Sequence, residues 1–201
     1  MAKAAKQTKR GRPPEFDENE VLDAAMRVFW ENGYEGATLS KLTDAMRITR
    51  SSMFAAFGNK EALFKRAYIH YVDRHQGYLK DALEKPTARE MIESALRGTV
   101  DFLSNPGHPK GCLSHGVLAV GDEADSVKRW LMEIRKEGAA LARERFERAK
   151  ESGGLAKDVD PAALARYVAT LINGLCVQGA SGATKAEMNK VVDAALRFMA
   201  C

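Results

Sequence analysis

Apolar residues recur at intervals of three and four along most of the chain, and this spacing constrains the fold more than any other feature. The first such run contains Val21, Leu22, Ala25 and Phe29, and it reaches Gly33. A period near 3.6 residues places these side chains on one face of a helix. Alternating β-branched runs are nearly absent, and 45% of the residues are hydrophobic. We therefore expect an all-α fold of about nine helices around a packed core.

Polar residues ahead of the apolar runs predict where the helices begin. Thr38, Thr49 and Asn59 can each accept a hydrogen bond from the first turn of a short helix. The pairs Asp17 with Glu20, Thr87 with Glu90 and Thr184 with Glu187 have the spacing of a capping box. The run that follows Asn59 continues to Leu79, which predicts one uninterrupted fourth helix. A short segment, 112–120, and a long amphipathic helix from about Ser126 to Gly153 are also expected.

Two of the short helices, near 39–46 and 50–57, are joined by only a few residues. This is the spacing of a helix-turn-helix, in which the second helix enters the major groove of DNA. Their polar side chains offer donors for phosphates and base edges: Ser40, Lys41, Thr49, Arg50, Ser51 and Ser52. An ordinary helical hairpin with a solvated polar face has the same spacing, so the pattern alone leaves both readings open.

The N-terminal arm, residues 1–15, is basic although the net charge of the chain is only +4. Five cations precede the first acidic residue, Glu15: Lys3, Lys6, Lys9, Arg10 and Arg12. Such an arm can bind the phosphate backbone, where neutralised phosphates release counterions. A disordered, solubilising tail has the same composition.

The stretch from Gly33 to Phe64 resembles the DNA-binding domain of the TetR family. The resemblance covers roughly residues 16–64, and its most specific part is Phe57-Gly58-Asn59-Lys60-Glu61-Ala62-Leu63-Phe64. It implies a homodimer, a palindromic double-stranded DNA operator, and a C-terminal half that binds a small-molecule inducer. The expected organisation is a flexible basic arm (1–15), a DNA-binding domain (16–62) and a ligand-binding and dimerisation domain (63–201).

The resemblance also implies roles for individual positions. Thr38 and Lys60 are expected to contact phosphates, and the residues from Thr49 to Ser52 are expected to face the groove. Phe54 stands where the family usually has Tyr, and Arg47 where Gly is usual, so Arg47 carries strain if its backbone is left-handed.

Arg50 is the best candidate for reading guanine. In the arm, Arg10-Gly11-Arg12-Pro13 is similar to the core of an AT-hook, which binds narrow A·T-rich minor grooves.

The two C-terminal runs are expected to form a four-helix bundle across a two-fold axis. The residues expected there are Leu164, Val168, Leu171, Leu175, Val191, Val192, Ala195 and Phe198. A monomeric core uses similar residues, so the family resemblance decides this prediction more than the pattern does.

An inducer pocket is expected between the fourth helix and the helices around 91–104, 112–120 and 126–150. Its candidate lining residues are Tyr68, Tyr71, His75, Met91, Phe102, Cys112, His115, Trp130, Ile134, Tyr167 and Asn173. Many aromatic side chains and few charges favour a mostly apolar or aromatic ligand, although most of these residues also suit a plain core.

Cys112 and His115 lie three apart at an expected helix start, which allows a redox- or electrophile-sensing thiol or two ligands of a metal. A buried cysteine beside a pocket histidine explains the same pattern, and no metal or cofactor is expected. An odd number of cysteines, three, and no apparent signal peptide fit a reducing cytoplasm.

Motifs for catalysis are not found: the sequence has no phosphate loop, nucleophile elbow or complete metal signature. An enzyme is therefore a remote alternative, and an architectural DNA-binding protein without an inducer is another. The uncharged stretch from Tyr167 to Thr184 is interrupted by Asn173, Gln178 and glycines, so no membrane span is expected. Repression is the expected activity, and activation is the alternative that the sequence leaves open.

Overall fold

The computed structural model describes residues 16–114 and 125–198, and within these ranges the chain forms nine α-helices and no strand. The helices are α1 (Glu18–Gly36), α2 (Leu39–Met46), α3 (Arg50–Phe57), α4 (Lys60–His75), α5 (Gly77–Leu83), α6 (Ala88–Leu103), α7 (Asp125–Glu151), α8 (Pro161–Ala180) and α9 (Lys185–Phe198). The expected all-α fold is confirmed.

Most of the expected caps are present. The side chains of Thr38, Thr49 and Asn59 accept hydrogen bonds from Lys41 N, Ser52 N and Ala62 N, respectively. Reciprocal capping boxes form between Thr87 and Glu90 and between Thr184 and Glu187. Asp17 also caps α1, but its carboxylate accepts from Asn19 N, so its bond is not that of the expected capping box.

The helix boundaries depart from expectation at two places. Gly33, with φ of 68°, kinks α1 but does not end it, and the helix continues to Gly36. The fourth run is not one helix, because Gln76 leaves helical geometry (φ −112°, ψ 14°) and a separate helix begins at Gly77. The Gln76 side chain donates instead to the hydroxyl of Tyr71 at 3.2 Å. Most of the expected segment 112–120 lies outside the described residues.

Two groups of buried side chains form the core. The first joins α1–α4 to residues farther along the chain, among them Phe102, Leu113, Leu131 and Cys176. The second joins α6, α8 and α9 to Phe146 of α7. Because the N-terminal helices share the first group with the C-terminal half, α4 links the two halves through continuous packing. The domain boundary between residues 62 and 63 stays a prediction, and it falls inside α4.

Candidate nucleic-acid interface and ligand cavity

The turn between α2 and α3 depends on a left-handed residue. Arg47 has φ of 54° and ψ of 36°, and its N–H bonds back to Asp44 O at 3.2 Å. Every other positive φ among the described residues belongs to glycine. A non-glycine residue in this conformation costs about 1–2 kcal/mol. Arg47 therefore has the left-handed backbone that strains a residue other than glycine, and its exposed side chain extends from the turn.

The face of α3 that points away from the core carries both polar and apolar residues. Met53 and Phe57 are buried, whereas Arg50, Ser51 and Ala55 are exposed. Among the described residues, no carboxylate forms an ion pair with Arg50. Within the described part of the chain, its guanidinium therefore breaks no ion pair when it binds a base edge.

The hydroxyl groups at the start of α3 bond to one another. Thr49 Oγ1 lies 2.9 Å from both Ser51 Oγ and Ser52 Oγ, and it also accepts from Ser52 N at 3.1 Å. Ser52 is half-buried, so it offers less surface than its neighbours. Phe54 is 42% exposed, and it presents an apolar ring where a tyrosine would present a hydroxyl group.

Two lysines at this surface are fixed on the end of α1. Lys41 Nζ donates to Asn32 Oδ1 at 2.6 Å, and Lys60 Nζ donates to Glu35 O at 3.4 Å. Lys60 Nζ also lies 4.6 Å from the centre of the Tyr34 ring, a cation–π contact. Both charges are held near the N-termini of α2 and α4, where helix dipoles also favour anions.

An aromatic series connects this surface to the rest of the chain. The Phe64 ring on α4 packs edge-on against Phe29 at 5.1 Å and against Tyr34 at 5.4 Å. On its other side the series continues through Tyr68 to Trp130 of α7, whose rings are 5.4 Å apart. α1 therefore packs against α4, and α4 in turn packs against α7.

A cavity of about 510 Å³ lies among α4–α8. Its lining comprises Val72, Gln76, Leu79, Lys80, Ala82, Leu83, Met91, Ile92, Ala95, Arg135, Gly138, Ala139, Leu141, Ala142, Phe146, Ala165, Val168, Ala169, Ile172 and Asn173. Most of the wall is aliphatic. The polar groups are Gln76, Lys80, Arg135 and Asn173, and no carboxylate is among the lining residues. Such a volume suits a small organic molecule.

Only two of the predicted pocket residues, Met91 and Asn173, line this cavity. Tyr68, Tyr71, Phe102 and Cys112 lie in the first core group instead. Burial raises the pKa of Tyr68 to about 12 and that of Tyr71 still further, so both hydroxyl groups are neutral. Aromatic rings that pack against one another leave little surface for a ligand, which explains the difference.

The other predicted pocket residues are dispersed. Trp130 and Ile134 are half-buried against the first core group, and Tyr167 is 42% exposed on α8. His75 lines a separate cavity of about 340 Å³ with Trp30 and His108. Burial, and then the neighbouring His108, lower the pKa of His75. His115 lies outside the described residues.

One sequence feature could have indicated some of the cavity-lining residues that the sequence analysis did not name. Gly138, Ala139 and Ala142 place small side chains where an amphipathic helix usually carries larger ones. Other lining residues, such as Val72 and Leu79, are ordinary aliphatic positions. Only the packing of the helices distinguishes them.

Cys112 is a core residue in this structure. Its Sγ accepts from the Tyr71 hydroxyl at 3.3 Å and lies 3.3 Å from Ser114 Oγ. A hydrogen bond with Cys112, together with burial, raises the pKa of the Cys176 thiol. Because Cys112 is only 9% exposed, a dissolved oxidant reaches it poorly, and thiol sensing is not favoured. The described residues contain no group of three or more potential metal ligands.

The residues predicted for dimerisation divide into two sets. Leu164, Val168, Leu175, Val192 and Ala195 are buried in the core of this same chain. They pack on the inner faces of α8 and α9 and do not form an outer surface. Val191 and Phe198 are 46% and 86% exposed, and Leu171 lines a groove between the two helices. Exposed apolar residues that the sequence did not single out, such as Val177, also lie on α8.

No described helix is long and apolar enough to span a membrane.

Comparison with known proteins identifies the relatives of this chain. The family model "Bacterial regulatory proteins, tetR family" matches residues 21–67. The HTH-type transcriptional repressor ComR of Escherichia coli (strain K12) is 28% identical over 199 residues, covering 94% of this chain and 91% of ComR. The HTH-type transcriptional regulator YezE of Bacillus subtilis (strain 168) is 31% identical over 161 residues, covering 79% of this chain and 83% of YezE.

The solved structures include a close match in fold and sequence. A cysteine mutant of the TetR family transcriptional regulator CifR, bound to 26-bp double-stranded operator DNA, is 42% identical to this chain, with a TM-score of 0.87. The match covers 93% of this chain and 99% of the CifR chain. Together with the helix-turn-helix geometry, these similarities show that the chain belongs to the TetR family of DNA-binding transcriptional regulators.

Proposed function

We propose that this chain is a homodimeric transcriptional repressor that binds a palindromic DNA operator and leaves it when a small molecule enters the cavity. One observation carries the proposal. α4 begins at the DNA-facing surface, with Lys60, and ends at the cavity, with Val72 and Gln76 nearby. A single helix thus contacts both sites, so a ligand can influence DNA binding.

In this proposal α3 reads DNA in the major groove. Arg50 contacts a base edge, Ser51 and Ser52 contact the groove or the backbone, and Phe54 supplies apolar contact only. Thr38, Ser40, Lys41, Arg47 and Lys60 bind phosphates. Arg10 and Arg12 of the arm bind the backbone or the adjacent minor groove; they lie outside the described residues, so their role rests on the sequence.

The dimer forms through the outer faces of α8 and α9. Exposed Tyr167, Val177, Val191 and Phe198 supply apolar surface, and the two helices of each protomer complete a four-helix bundle. A two-fold axis then places the two α3 helices in successive major grooves, which requires half-sites about one helical turn apart.

The cavity sets the chemistry of the inducer. Its aliphatic wall suits a mostly apolar or aromatic molecule. Lys80, Arg135 and Asn173 can donate hydrogen bonds to a ligand, whereas the Gln76 amide already donates to Tyr71. Because no carboxylate is among the lining residues, the ligand carries an acceptor, and an anionic group fits best. Binding shifts the population toward a dimer whose two α3 helices are spaced wrongly for DNA.

The experiment that tests this proposal is selection of bound DNA from a random-sequence pool, followed by sequencing. A palindromic consensus is expected. Enrichment of A·T-rich DNA without a palindrome would contradict the proposal and would indicate that the arm dominates, as in an architectural protein. Release is then tested by titrating apolar carboxylic acids into the complex while light scattering follows mass. DNA release with the dimer intact is expected, and release as monomers contradicts the mechanism.

A further inference from the structure

The N-terminal end of α7 contacts the DNA-facing end of α4. Ser126 Oγ donates a hydrogen bond to Glu61 Oε2 at 2.7 Å, although the two residues are 65 positions apart. The other carboxylate oxygen, Oε1, accepts from Lys65 Nζ at 2.6 Å. Both oxygens of Glu61 are thus engaged, one within α4 and one by α7.

α7 also forms one wall of the cavity. Arg135, Gly138, Ala139 and Ala142 line it, and Arg135 follows Ser126 by nine residues, or about 13 Å along the helix axis. Between these two sites, Trp130 packs on Phe64 and Tyr68 of α4. A helix moves largely as a rigid element, so a displacement of α7 at the cavity is carried to Ser126.

Glu61 occupies a sensitive position on α4. It lies in the first turn, directly after Lys60, on the end of the helix that the proposed function turns toward DNA phosphates. A negative charge here is stabilised by the helix dipole, but it repels a nearby phosphate. Hydrogen bonds from Lys65 and then from Ser126 lower the pKa of Glu61, so the carboxylate stays charged at neutral pH.

We propose that Glu61 is a positioning residue through which α7 controls DNA binding, and that its hydrogen bond with Ser126 holds the first turn of α4 in the DNA-binding arrangement. This inference rests on the proposed function. A ligand that displaces α7 withdraws Ser126 from Glu61. The first turn of α4 then loses a tertiary contact, and the carboxylate is free to turn toward the phosphates that Lys60 binds. Both changes lower DNA affinity.

The structure supplies matched variants for a test. Ser126→Ala removes the hydroxyl group, and Ser126→Thr keeps it. Ser152→Ala makes the same substitution directly after the other end of α7, where Ser152 Oγ donates to Ala149 O. Binding to the operator recovered by selection is measured by fluorescence anisotropy for each protein. We expect Ser126→Ala to weaken binding about three- to tenfold, because a hydrogen bond to a charged group is lost. Ser126→Thr and Ser152→Ala are expected to bind like the unmodified protein.

A double-mutant cycle separates this role from a general loss of stability. Glu61→Ala removes both the acceptor and the repelling charge, so Ser126→Ala is expected to have no further effect in that background. Both alanine variants should remain folded, with Ser126→Ala melting about 2–5 °C below Ser152→Ala because the lost hydrogen bond also contributes to stability. An equal affinity loss from Ser126→Ala with and without Glu61 overturns the proposal, as does unchanged affinity in the single variant.

Hydrogen exchange without DNA tests the contact independently of the proposed function. Amides of residues 60–66 are expected to exchange severalfold faster in Ser126→Ala than in Ser152→Ala, whereas α8 is unchanged. Equal exchange overturns the inference. If the unmodified protein selects no palindromic DNA, the proposed function fails, and the exchange comparison still decides whether α7 holds the first turn of α4.

Discussion

The helix-turn-helix and the cavity-lining helix α7 are built in opposite ways. α2 and α3 have only eight residues each, yet both are capped by threonine and bury two side chains, including Leu42 and Met53 with no exposed surface. α7 has 27 residues and buries only Val127, Leu131 and Phe146. Buried side chains anchor α2 and α3 in the core, whereas α7 borders a cavity along its middle. The helix-turn-helix formed by α2 and α3, the recognition unit, is therefore rigid. α7 is the element that can respond to a ligand.

The largest expected effect tests whether the two regions share one core. Phe64→Ala removes a fully buried ring that contacts both α1 and Trp130 of α7. We expect a loss of about 3–5 kcal/mol in the free energy of unfolding. Urea unfolding followed by fluorescence measures it, at a single protein concentration because dimerisation contributes.

Two controls accompany this variant. Phe54→Ala removes an exposed ring and should cost no more than about 0.5 kcal/mol. In two further variants, one retaining only Trp30 and the other only Trp130, the fluorescence should show the same unfolding transition. Separate transitions would show that the N-terminal helices unfold independently of α7.

The second effect concerns specificity at the rigid surface. Arg50→Ala is expected to weaken operator binding by about 1–3 kcal/mol, roughly 5- to 150-fold, if the guanidinium pairs with one guanine. Binding to operators substituted at each position identifies that base pair, because the variant should no longer distinguish it. Arg143→Ala, an exposed arginine on α7, is the control. Equal weakening on every DNA sequence would mean that Arg50 binds a phosphate.

Local signals explain why the recognition unit could be predicted and the cavity could not. Thr38, Thr49 and Asn59 are capping residues whose hydrogen bonds lie within three residues, so the sequence alone locates α2, α3 and the start of α4. The cavity depends on how distant helices pack. The ring centres of Tyr71 and Phe102 are 6.0 Å apart, so the two rings pack against each other. They fill space in the core, although their aromatic character suggested that they line a ligand pocket.

The break between α4 and α5 was missed for a related reason. Gly77 is a weak signal, since an isolated glycine is tolerated within a helix. The bond from the Gln76 side chain to Tyr71 is visible only once the helices are placed. The outer faces of α8 and α9 could not be predicted either, because the apolar pattern of the sequence does not distinguish the buried Val192 from the exposed Val191.

A smaller effect tests the rigidity of the turn between α2 and α3. Arg47→Gly relieves the left-handed strain, at the cost of a more flexible unfolded chain and of any phosphate contact. We expect a net gain of about 0.5–1 kcal/mol in the free energy of unfolding, together with slightly weaker operator binding. Chemical unfolding and anisotropy measure the two quantities. Arg47→Ala, which keeps the strain, is the control and should bring no gain. Equal stability of the two variants would show that the turn stores no strain.

The smallest effect tests how loosely α7 is packed. A Cβ atom added at Gly138 meets no atom within 4 Å, whereas one added at Gly98 of α6 lies 2.5 Å from Cδ2 of Tyr78. Both glycines are inside helices, so alanine improves the helix propensity equally, by about 0.5–1 kcal/mol. Gly138→Ala should therefore raise the melting temperature by about 2–3 °C. Gly98→Ala should lower it, because the Tyr78 ring, which packs on Phe102, has to move. Calorimetry of the two variants measures the difference directly. If Gly138→Ala destabilises the protein as well, α7 is packed as tightly as α6, and the cavity wall is not the deformable side of the molecule.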